Sequence, residues 1–259
     1  GLAALAEVFV DDAFGTAHRK HASNYGVAEL VKPAVAGYLL AKEIQYFDKL
    51  LRDPPRPLVF VLGGAKLSTK LGVVKNMAER VDHFLLGGGM AYTFLKAQGH
   101  AVGSSLVEED FVVEAAEALA AYGGKIELPN DHIVAAAPDD PSSAETAHGA
   151  DIAEGYMGVD IGPATIHRFT AGTLNAGAIF WNGPMGIFEV AAFSDGTREV
   201  AEAIAESGAV TVAGGGETVQ AARKFNVADR LSHISTGGGA SLKYLEGASM
   251  AALEILDRK

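Results

Sequence analysis

Three runs of three glycines are the parts of this sequence best suited to chemistry, at residues 87–89, 214–216 and 237–239. Each run follows a short apolar stretch typical of a buried strand. Because glycine carries no side chain, its backbone N–H groups can approach a ligand closely, and a helix that begins behind the turn adds unpaired donors and a positive dipole end. Tight packing explains a single run equally well, but three runs at successive strand ends favour a phosphate or nucleotide site.

A fourth glycine turn carries two lysines, since Gly63 and Gly64 are followed by Lys66 and, four residues later, by Lys70. At that spacing the two ammonium groups would share one face of a helix, where they suit a polyphosphate. A pair of solvated surface lysines is the alternative. The turn lacks the spacing of a Walker A loop, and the glycine runs do not fit the dinucleotide fingerprint. The sequence is therefore not that of a P-loop NTPase, nor of an obvious dehydrogenase.

Two further segments could serve the same ligand. Glu217 comes directly after the second glycine run. A carboxylate beside a phosphate cradle repels the ligand unless a cation lies between them, and magnesium commonly binds through one or two carboxylates plus substrate phosphates. An acid that stabilises a helix N-terminus is the alternative at this position. Residues 181–189 could hold an adenosine and accept hydrogen bonds from its ribose, or could contribute Trp181 and Phe188 to the core.

Near the start of the chain, one short polar loop contains His18, Arg19, Lys20 and His21. Such a cluster suits an anionic substrate, whereas a surface loop with scattered charge is the alternative. In the first interpretation the substrate is bound by a different domain from the glycine runs.

Strand-like and helix-like segments alternate downstream of residue 57. The strand-like runs are residues 58–62, 83–86, 126–128, 178–181, 210–213 and 233–235. Continuous apolar strands that alternate with helices predict an α/β fold with a parallel, Rossmann-like sheet and helices on both faces. In such folds ligands bind at the carboxyl ends of the strands, where the glycine turns lie.

The region upstream of this sheet is organised differently. Residues 8–10 are predicted to form a buried strand, and Pro33 favours a helix over about residues 34–51. That helix is apolar on most sides and is therefore expected to be buried, for instance between two domains. Residues 53–57 form a stiff, proline-rich linker. Because the chain opens at Gly1 on helix-like residues that run into a strand, we expect an incomplete first domain, a connecting helix and a complete second domain.

Composition narrows the possible partners. The 259 residues carry a formal net charge of −11, which disfavours nucleic acid and anionic membranes but allows small anionic substrates in a positive pocket. The sequence has no cysteine, so disulfides, thiolate metal sites and cysteine nucleophiles are excluded. No apolar stretch approaches the roughly 20 residues that span a bilayer, and no signal pattern is visible. We expect a cytoplasmic protein without nucleic-acid or membrane partners.

The motifs resemble, in order along the chain, those of the phosphoglycerate kinase family. The matching segments are residues 9–19 (FVDDAFGTAHR), 63–66 (GGAK), 87–91 (GGGMA), 160–163 (DIGP), 181–186 (WNGPMG) and 233–241 (HISTGGGAS). The resemblance implies the reversible reaction of 1,3-bisphosphoglycerate and MgADP to 3-phosphoglycerate and MgATP. The implied partners are ADP or ATP, with Mg²⁺ as cofactor, and 3-phosphoglycerate or 1,3-bisphosphoglycerate.

By this resemblance the chain is part of a two-domain hinge enzyme whose first domain is incomplete. Residues 1–33 look like the end of the N-terminal, 3-phosphoglycerate-binding domain, and residues 34–52 look like the interdomain helix. Residues 53–241 look like the nucleotide-binding domain, and residues 242–259 like a C-terminal segment that returns toward the first domain. We expect a monomer. An isolated nucleotide-binding domain without catalysis is the alternative, and a structural protein without ligand is a third interpretation.

The resemblance also implies roles for individual residues. Arg19 and His18 match substrate-binding residues, and Glu43 and His233 match a hydrogen-bonded pair at the hinge. Residues implied in catalysis are Lys66, Arg19, Gly237, Gly238 and Gly239. Residues implied in nucleotide binding are Lys66, Lys70, Gly87, Gly88, Pro184, Glu189, Gly214, Gly215, Gly216, Glu217 and Thr218, of which Glu217 is also the metal ligand.

The sequence departs from the family pattern at three positions, and residues 246–259 match the usual ending only loosely. Glu217 stands where aspartate is usual, so an extra methylene group moves the carboxylate of the predicted metal site. Asp11 stands where asparagine is common, and Ala164 where lysine is common.

Overall fold

A parallel sheet of six strands organises the computed structural model, which describes residues 1–257. The strands are β1 (Phe9–Asp11), β2 (Ala34–Ala36), β3 (Leu58–Leu62), β4 (His83–Leu86), β5 (Ile126–Glu127), β6 (Asp131–Ala135), β7 (Glu145–His148), β8 (Met157–Ile161), β9 (Ala178–Asn182), β10 (Val210–Ala213) and β11 (His233–Ile234). The α-helices are α1 (Val27–Leu30), α2 (Tyr38–Arg52), α3 (Leu71–Met77), α4 (Met90–Ala97), α5 (Val112–Tyr122), α6 (Pro163–Leu174), α7 (Asp195–Glu206), α8 (Gly216–Lys224), α9 (Gly239–Leu245) and α10 (Ala251–Glu254). Across this described range, none of the helices is long and apolar enough to cross a membrane.

The central sheet has the strand order β11–β10–β9–β3–β4–β5, with all neighbouring strands parallel. β3 and β9 lie side by side in the middle, and both are buried along their full length. One face packs against α2 and α3 through Phe47 and Leu71, and the other packs against α6 and α7 through Phe169 and Val200. The predicted parallel sheet with helices on both faces is therefore confirmed. The strand order reverses between β3 and β9, which creates a crevice at their carboxyl ends.

The sequence pattern did not predict a second sheet, which consists of the antiparallel strands β7–β6–β8. β7 is largely exposed, so its sequence lacks the alternation of apolar and polar residues that marks a strand. The pairing of β6 with β8 is irregular between Ile133 and Val134, and such a bulge interrupts the two-residue period.

The predicted helix over residues 34–51 is wrong at its beginning. Ala34–Ala36 form β2, which pairs in parallel with β1, and α2 begins only at Tyr38. Asp12 Oδ1 accepts a hydrogen bond from Leu40 N at 2.8 Å, which satisfies a donor of the first helical turn. The proline before this segment therefore leads into a strand, because strand pairing and a distant carboxylate decide where the helix starts.

The C-terminal part of the chain packs against its N-terminal part. Asp257 accepts a hydrogen bond from Ala34 N at 2.8 Å, and its carboxylate lies 3.1 Å from Lys32 Nζ. Ala252 N donates to Ala17 O at 3.0 Å. These contacts link the two ends of the described chain; residues 258 and 259 of the predicted C-terminal segment lie outside the described residues.

Candidate functional site

The loops that leave the carboxyl ends of the central strands meet at one edge of the sheet. There they enclose a pocket with a volume of about 250 Å³. Four predicted nucleotide-site residues line it: Gly88 after β4, Pro184 and Glu189 after β9, and Glu217 at the start of α8. Strand β8 of the small sheet also contributes to the wall. The pocket thus lies in the crevice expected from the reversal of strand order.

The loops after β3, β4 and β9 are hydrogen-bonded to one another through their backbones. Gly64 N donates to Pro184 O at 2.8 Å, and Gly88 N donates to Met185 O at 3.0 Å. Side chains do not fit at these crossings, because a Cβ atom on Gly63 would overlap the carbonyl group of Pro184. At Gly88 the backbone has a φ of +65°, and a Cβ atom would lie 2.5 Å from Gly64 N. Here the glycines build the pocket by close backbone packing.

The loops after β10 and β11 combine packed glycines with open ones, and a Cβ atom on Gly215 would lie 3.0 Å from Asn182 Nδ2. Apart from its chain neighbours and the backbone of its own helix, no atom of residues 1–257 lies within 4 Å of a Cβ atom built on Gly216, Gly238 or Gly239. Gly215, with a φ of +101°, precedes α8, so the chain turns sharply before the helix begins. The starts of α8 and α9 therefore leave room beside Gly216 and Gly239, and the first N–H groups of a helix have no acceptor within the helix. Such helix starts bind anions, because the donors are unpaired and the helix dipole is positive there.

Some predicted contact residues are instead engaged inside the protein. Thr218 Oγ1 donates to Gly214 O at 2.7 Å and accepts from Gly183 N at 2.7 Å. It thereby connects the loop after β9 to the loop after β10. Gly87 is buried, and a Cβ atom there would lie 2.5 Å from Met185 Sδ. Thr218, Gly214 and Gly87 therefore support the loops around the pocket and do not line it.

The two predicted lysines do not share a helical face. Residues 66–70 form a turn, and α3 begins at Leu71, so that part of the prediction is wrong. The glycines before the turn are locked to neighbouring loops, and the chain becomes helical only after it has left the edge of the sheet. Lys66 is exposed, whereas Lys70 is only 7% exposed. The alternative of a solvated surface lysine therefore does not apply to Lys70.

Lys70 and Glu217 approach each other across the backbone of Gly64. A Cβ atom on Gly64 would lie 3.6 Å from Lys70 Nζ and 3.3 Å from Glu217 Oε2. Burial lowers the pKa of Lys70, while the charges of Glu217 and Glu108 act in the opposite direction. The result is a buried cation at the rim of the pocket whose ammonium group has given up solvation, so an added anion would stabilise it.

The predicted metal site depends on a single carboxylate. Among residues 1–257 no group of three or more His, Asp or Glu side chains is arranged to hold a metal ion. Glu217 is exposed at the N-terminus of α8 and lines the same pocket as Glu189. This donor set fits a Mg²⁺ ion that takes most of its oxygen ligands from water and nucleotide phosphates, and does not fit a site built from protein ligands alone.

The predicted substrate residues lie beside the third glycine run. A Cβ atom on Gly237 would lie 2.5 Å from the ring of Phe14, which precedes the basic loop. In that loop Arg19 Nε donates to His18 Nε2 at 3.1 Å. Burial lowers the pKa of His18, and the charges of Arg19 and Lys243 lower it further. Helix α9 thus brings Lys243 to a cationic cluster that suits an anion, a residue that the sequence spacing did not identify.

The predicted pair of Glu43 and His233 is in contact. Glu43 on α2 is fully buried, and its Oε2 lies 2.8 Å from His233 Nε2. Its other oxygen, Oε1, accepts hydrogen bonds from Thr236 N at 2.7 Å and from the Thr236 hydroxyl at 2.8 Å. Burial alone raises the pKa of Glu43, but the bonds from His233 and Thr236 outweigh it and leave the pKa lowered. One carboxylate therefore joins α2 to the residue before the third glycine run.

Asp160 is a buried residue to which sequence reasoning assigned no role, although it lies in one of the family-like segments. It is 1% exposed, and its carboxylate accepts hydrogen bonds from Gly196 N at 2.7 Å and from Ile161 N at 2.9 Å. Burial raises the pKa of Asp160 to about 8. The same carboxylate packs against Gly186, so it supports the loop on the Pro184 side of the pocket.

Comparison with known protein families gives one name. A sequence model of the phosphoglycerate kinase family matches residues 1–248. The phosphoglycerate kinase of Rubrobacter xylanophilus is 49% identical over 258 residues, which cover 100% of this chain and 66% of that protein. The phosphoglycerate kinase of Clostridium perfringens is 51% identical over 261 residues, with the same coverage of 100% and 66%.

Solved structures agree with this match. The structure of phosphoglycerate kinase from Coxiella burnetii has a TM-score of 0.91 and 43% identity, covering 98% of this chain and 66% of that one. The enzyme from Pyrococcus horikoshii has a TM-score of 0.88 and 34% identity, covering 98% and 65%. This chain spans 66% of the length of the Rubrobacter xylanophilus enzyme.

Proposed function

This chain belongs to the phosphoglycerate kinase family, and from that premise we propose that it transfers a phosphoryl group reversibly between 1,3-bisphosphoglycerate and MgADP, giving 3-phosphoglycerate and MgATP. The observation that carries the proposal is the pocket at the strand reversal, which is lined by Glu217 at the start of α8 and by Gly64, next to the buried cation of Lys70. Phosphoryl transfer needs little covalent help from a protein and depends on positioning, backbone donors and cations.

The pocket is the proposed place of the adenosine. Its walls combine apolar side chains with backbone, and the base would lie against Gly88 and Pro184. Glu189 lines the same pocket and would accept hydrogen bonds from the ribose hydroxyls. A concave and mostly apolar pocket with one or two polar groups is typical of a nucleoside site.

The phosphates would extend from the pocket toward the N-terminus of α8. There Gly216 leaves space at the start of the helix, and the ammonium group of Lys70 lies close to Gly64, which lines the pocket. A bound Mg²⁺ ion would supply positive charge between the phosphate oxygens and the carboxylate of Glu217. The lowered pKa of Lys70 means that phosphate binding would restore to this ammonium group the stabilisation lost on burial.

The transferring group would lie between the two halves of the site. Lys66 is exposed on the turn after β3, and Gly238 and Gly239 present open backbone at the start of α9. We assign Arg19 and His18 to the acidic substrate, because their loop lies beside this glycine run. Closure of the two sides would exclude water that otherwise hydrolyses an acyl phosphate.

We also propose the domain division implied by the family, with its helix boundary corrected. Residues 1–33 together with β2, which pairs with β1, are the end of the substrate domain, and α2 (Tyr38–Arg52) is the connecting helix. Residues 53–241 are the nucleotide domain, and residues 242–259 are the returning segment. The contact of Asp257 with Ala34 supports the last part. A monomer in the cytoplasm remains the prediction. The second candidate function is nucleotide binding without transfer.

Calorimetric titration with ADP, in the presence and absence of Mg²⁺, tests the shared part of both candidates. We expect saturable binding that weakens when Mg²⁺ is chelated. A folded sample that binds no ADP would contradict the nucleotide site. A coupled assay with 3-phosphoglycerate and ATP then separates transfer from binding alone.

A further inference from the structure

A segment that we call the strap, residues 101–108, runs from the small sheet to the turn that carries the lysines. At its first end, Val102 forms a bridge with Ile152, and Ser104 N donates to Tyr156 O at 2.7 Å. In its middle, Leu106 lines the nucleotide pocket and is 47% exposed. Because Gly158 N on β8 donates to Ser105 Oγ at 2.9 Å, the strap links β8, on one wall of the pocket, with the loop after β3.

At its other end the strap holds the lysine turn through one carboxylate. Glu108 Oε2 accepts a hydrogen bond from Ser68 N at 2.9 Å, and Glu108 Oε1 accepts one from the Ser68 hydroxyl at 2.7 Å. The backbone of Glu108 is fixed in turn, because its N–H donates to the hydroxyl of the buried Thr93 on α4 at 3.1 Å. Ser68 lies midway between Lys66 and Lys70 in the sequence. The turn that carries both lysines is therefore held by hydrogen bonds from the strap.

Glu108 also acts on the two lysines through its charge. Burial alone raises the pKa of Glu108, but the bonds from Ser68 and the charge of Lys66 leave it lowered, so the group is an anion at neutral pH. Its charge and that of Glu217 both favour the charged form of Lys70, against the effect of burial. Lys70 is thus flanked by carboxylates from two elements, the strap and the start of α8.

We propose that Glu108 is a positioning residue of the nucleotide site: through Ser68 it fixes the lysine turn so that Lys66 and Lys70 face the nucleotide phosphates. The inference rests on the proposed nucleotide function, and it extends that function to a residue about 40 positions away in sequence from the lysines. Glu108 does not line the pocket, so its effect on binding must pass through the turn.

The test compares Glu108→Gln and Ser68→Ala with Glu109→Gln. Glu109 is a matched control, because it is the neighbouring acid, 66% exposed, and paired only with the surface Lys96 at 2.6 Å among the described residues. Dissociation constants for AMP, ADP and ATP are measured by calorimetry with Mg²⁺. We expect Glu108→Gln to weaken ADP and ATP about tenfold, the loss of roughly one charge-assisted hydrogen bond, and to leave AMP unchanged. Ser68→Ala should show a smaller loss with the same pattern, and Glu109→Gln none.

Equal losses for AMP and ATP in Glu108→Gln would overturn the proposal, since a distorted pocket and not a misplaced turn would then be the cause. Equal behaviour of Glu108→Gln and Glu109→Gln would overturn it as well. If the unmodified chain binds no nucleotide, the proposed function fails, and the backbone amide NMR signals of residues 66–70 decide the role of Glu108 separately. We expect Glu108→Gln to shift these signals because the bonds to Ser68 are weakened, and shifts no larger than those in Glu109→Gln would reject the positioning role.

Discussion

The two sides of the sheet edge use the same residue for opposite purposes. After β3, β4 and β9, glycine lets three loops cross at backbone contact distance, as where Gly64 N donates to Pro184 O at 2.8 Å. After β10 and β11, two glycines at the helix starts leave space: apart from chain neighbours and the backbone of its own helix, no described atom lies within 4 Å of a Cβ position built on Gly216 or Gly239. The first group closes the pocket and the second exposes donors, so stability and binding should separate when glycines are replaced.

Gly63→Ala should give the largest effect on the closed side. A Cβ atom there overlaps the carbonyl of Pro184, so the crossing loops must move apart. We expect the free energy of unfolding to fall by about 3 kcal/mol. Urea denaturation checks it, and a loss smaller than that of Gly216→Ala would show that the closed side is not packed as described.

Glu43→Gln tests the buried carboxylate that joins α2 to His233 and Thr236, next to the third glycine run. We expect about 2 kcal/mol of lost stability at pH 7, because hydrogen bonds to a charged carboxylate are replaced by weaker ones. The pKa of Glu43 is lowered on folding, so its stabilisation is present above the unfolded pKa of about 4.5 and is lost as the pH falls through the folded value.

The variant should therefore lose less stability than the parent chain when unfolding is measured from pH 6 downward into the acid range. Parallel curves for both proteins would contradict the assignment. His233→Ala offers a second measurement, because it removes one partner of the carboxylate and leaves the two bonds from Thr236.

Lys70→Met should weaken the binding of ADP by about 1.5 kcal/mol, since one cation facing the phosphates is lost. The free energy of unfolding at pH 7 should not fall. The lowered pKa of Lys70 means that the folded chain releases this proton before the unfolded chain does. Stability of the parent chain should thus gain a rising contribution as the pH climbs through the folded pKa, and the variant should lack it. Calorimetry and denaturation measured in the alkaline range check both parts; a large loss of stability at pH 7 would disprove the buried-cation interpretation.

Gly216→Ala should give the smallest change in stability, within about 0.5 kcal/mol, because the added methyl group meets open space. It should nevertheless weaken ADP by about 1 kcal/mol, since a methyl group hinders the approach of phosphate to the helix start. Thermal unfolding and titration of the same sample test this separation. An equal loss of unfolding free energy and of ADP-binding free energy would contradict the distinction between the packed and the open glycines.

Much of the fold was predictable because its strands are buried on both faces. The runs at residues 58–62, 83–86 and 210–213 coincide with β3, β4 and β10, since a central parallel strand must be continuously apolar. The exposed β7 and the irregular pairing of β6 with β8 carry no such signal, so the small sheet that walls the pocket was missed. The helix start at Tyr38 was missed because β1 and Asp12 determine it from a distance.

Within the candidate site, the residues that line the pocket and those that support it were equally visible as motifs. Pro184, Glu189 and Glu217 line the pocket, whereas Thr218 forms hydrogen bonds inside the protein. The type of a residue shows which interactions its side chain can make, and its burial in the fold decides whether a ligand can reach that side chain. Glu108 carried no motif at all, because its partner Ser68 is brought to it only by the fold.

The sequence by itself determined the parallel α/β sheet, the edge at which its glycine turns gather and the family to which the motifs belong, since local apolar runs and glycine-specific turns are recorded along the chain. Only the tertiary structure decided which glycines close the pocket and which stay open, that Lys70 is buried while Lys66 is exposed, and which carboxylates surround that cation. The physical reason is that packing density, desolvation and charge depend on neighbours in space, and those neighbours come from distant segments of the chain.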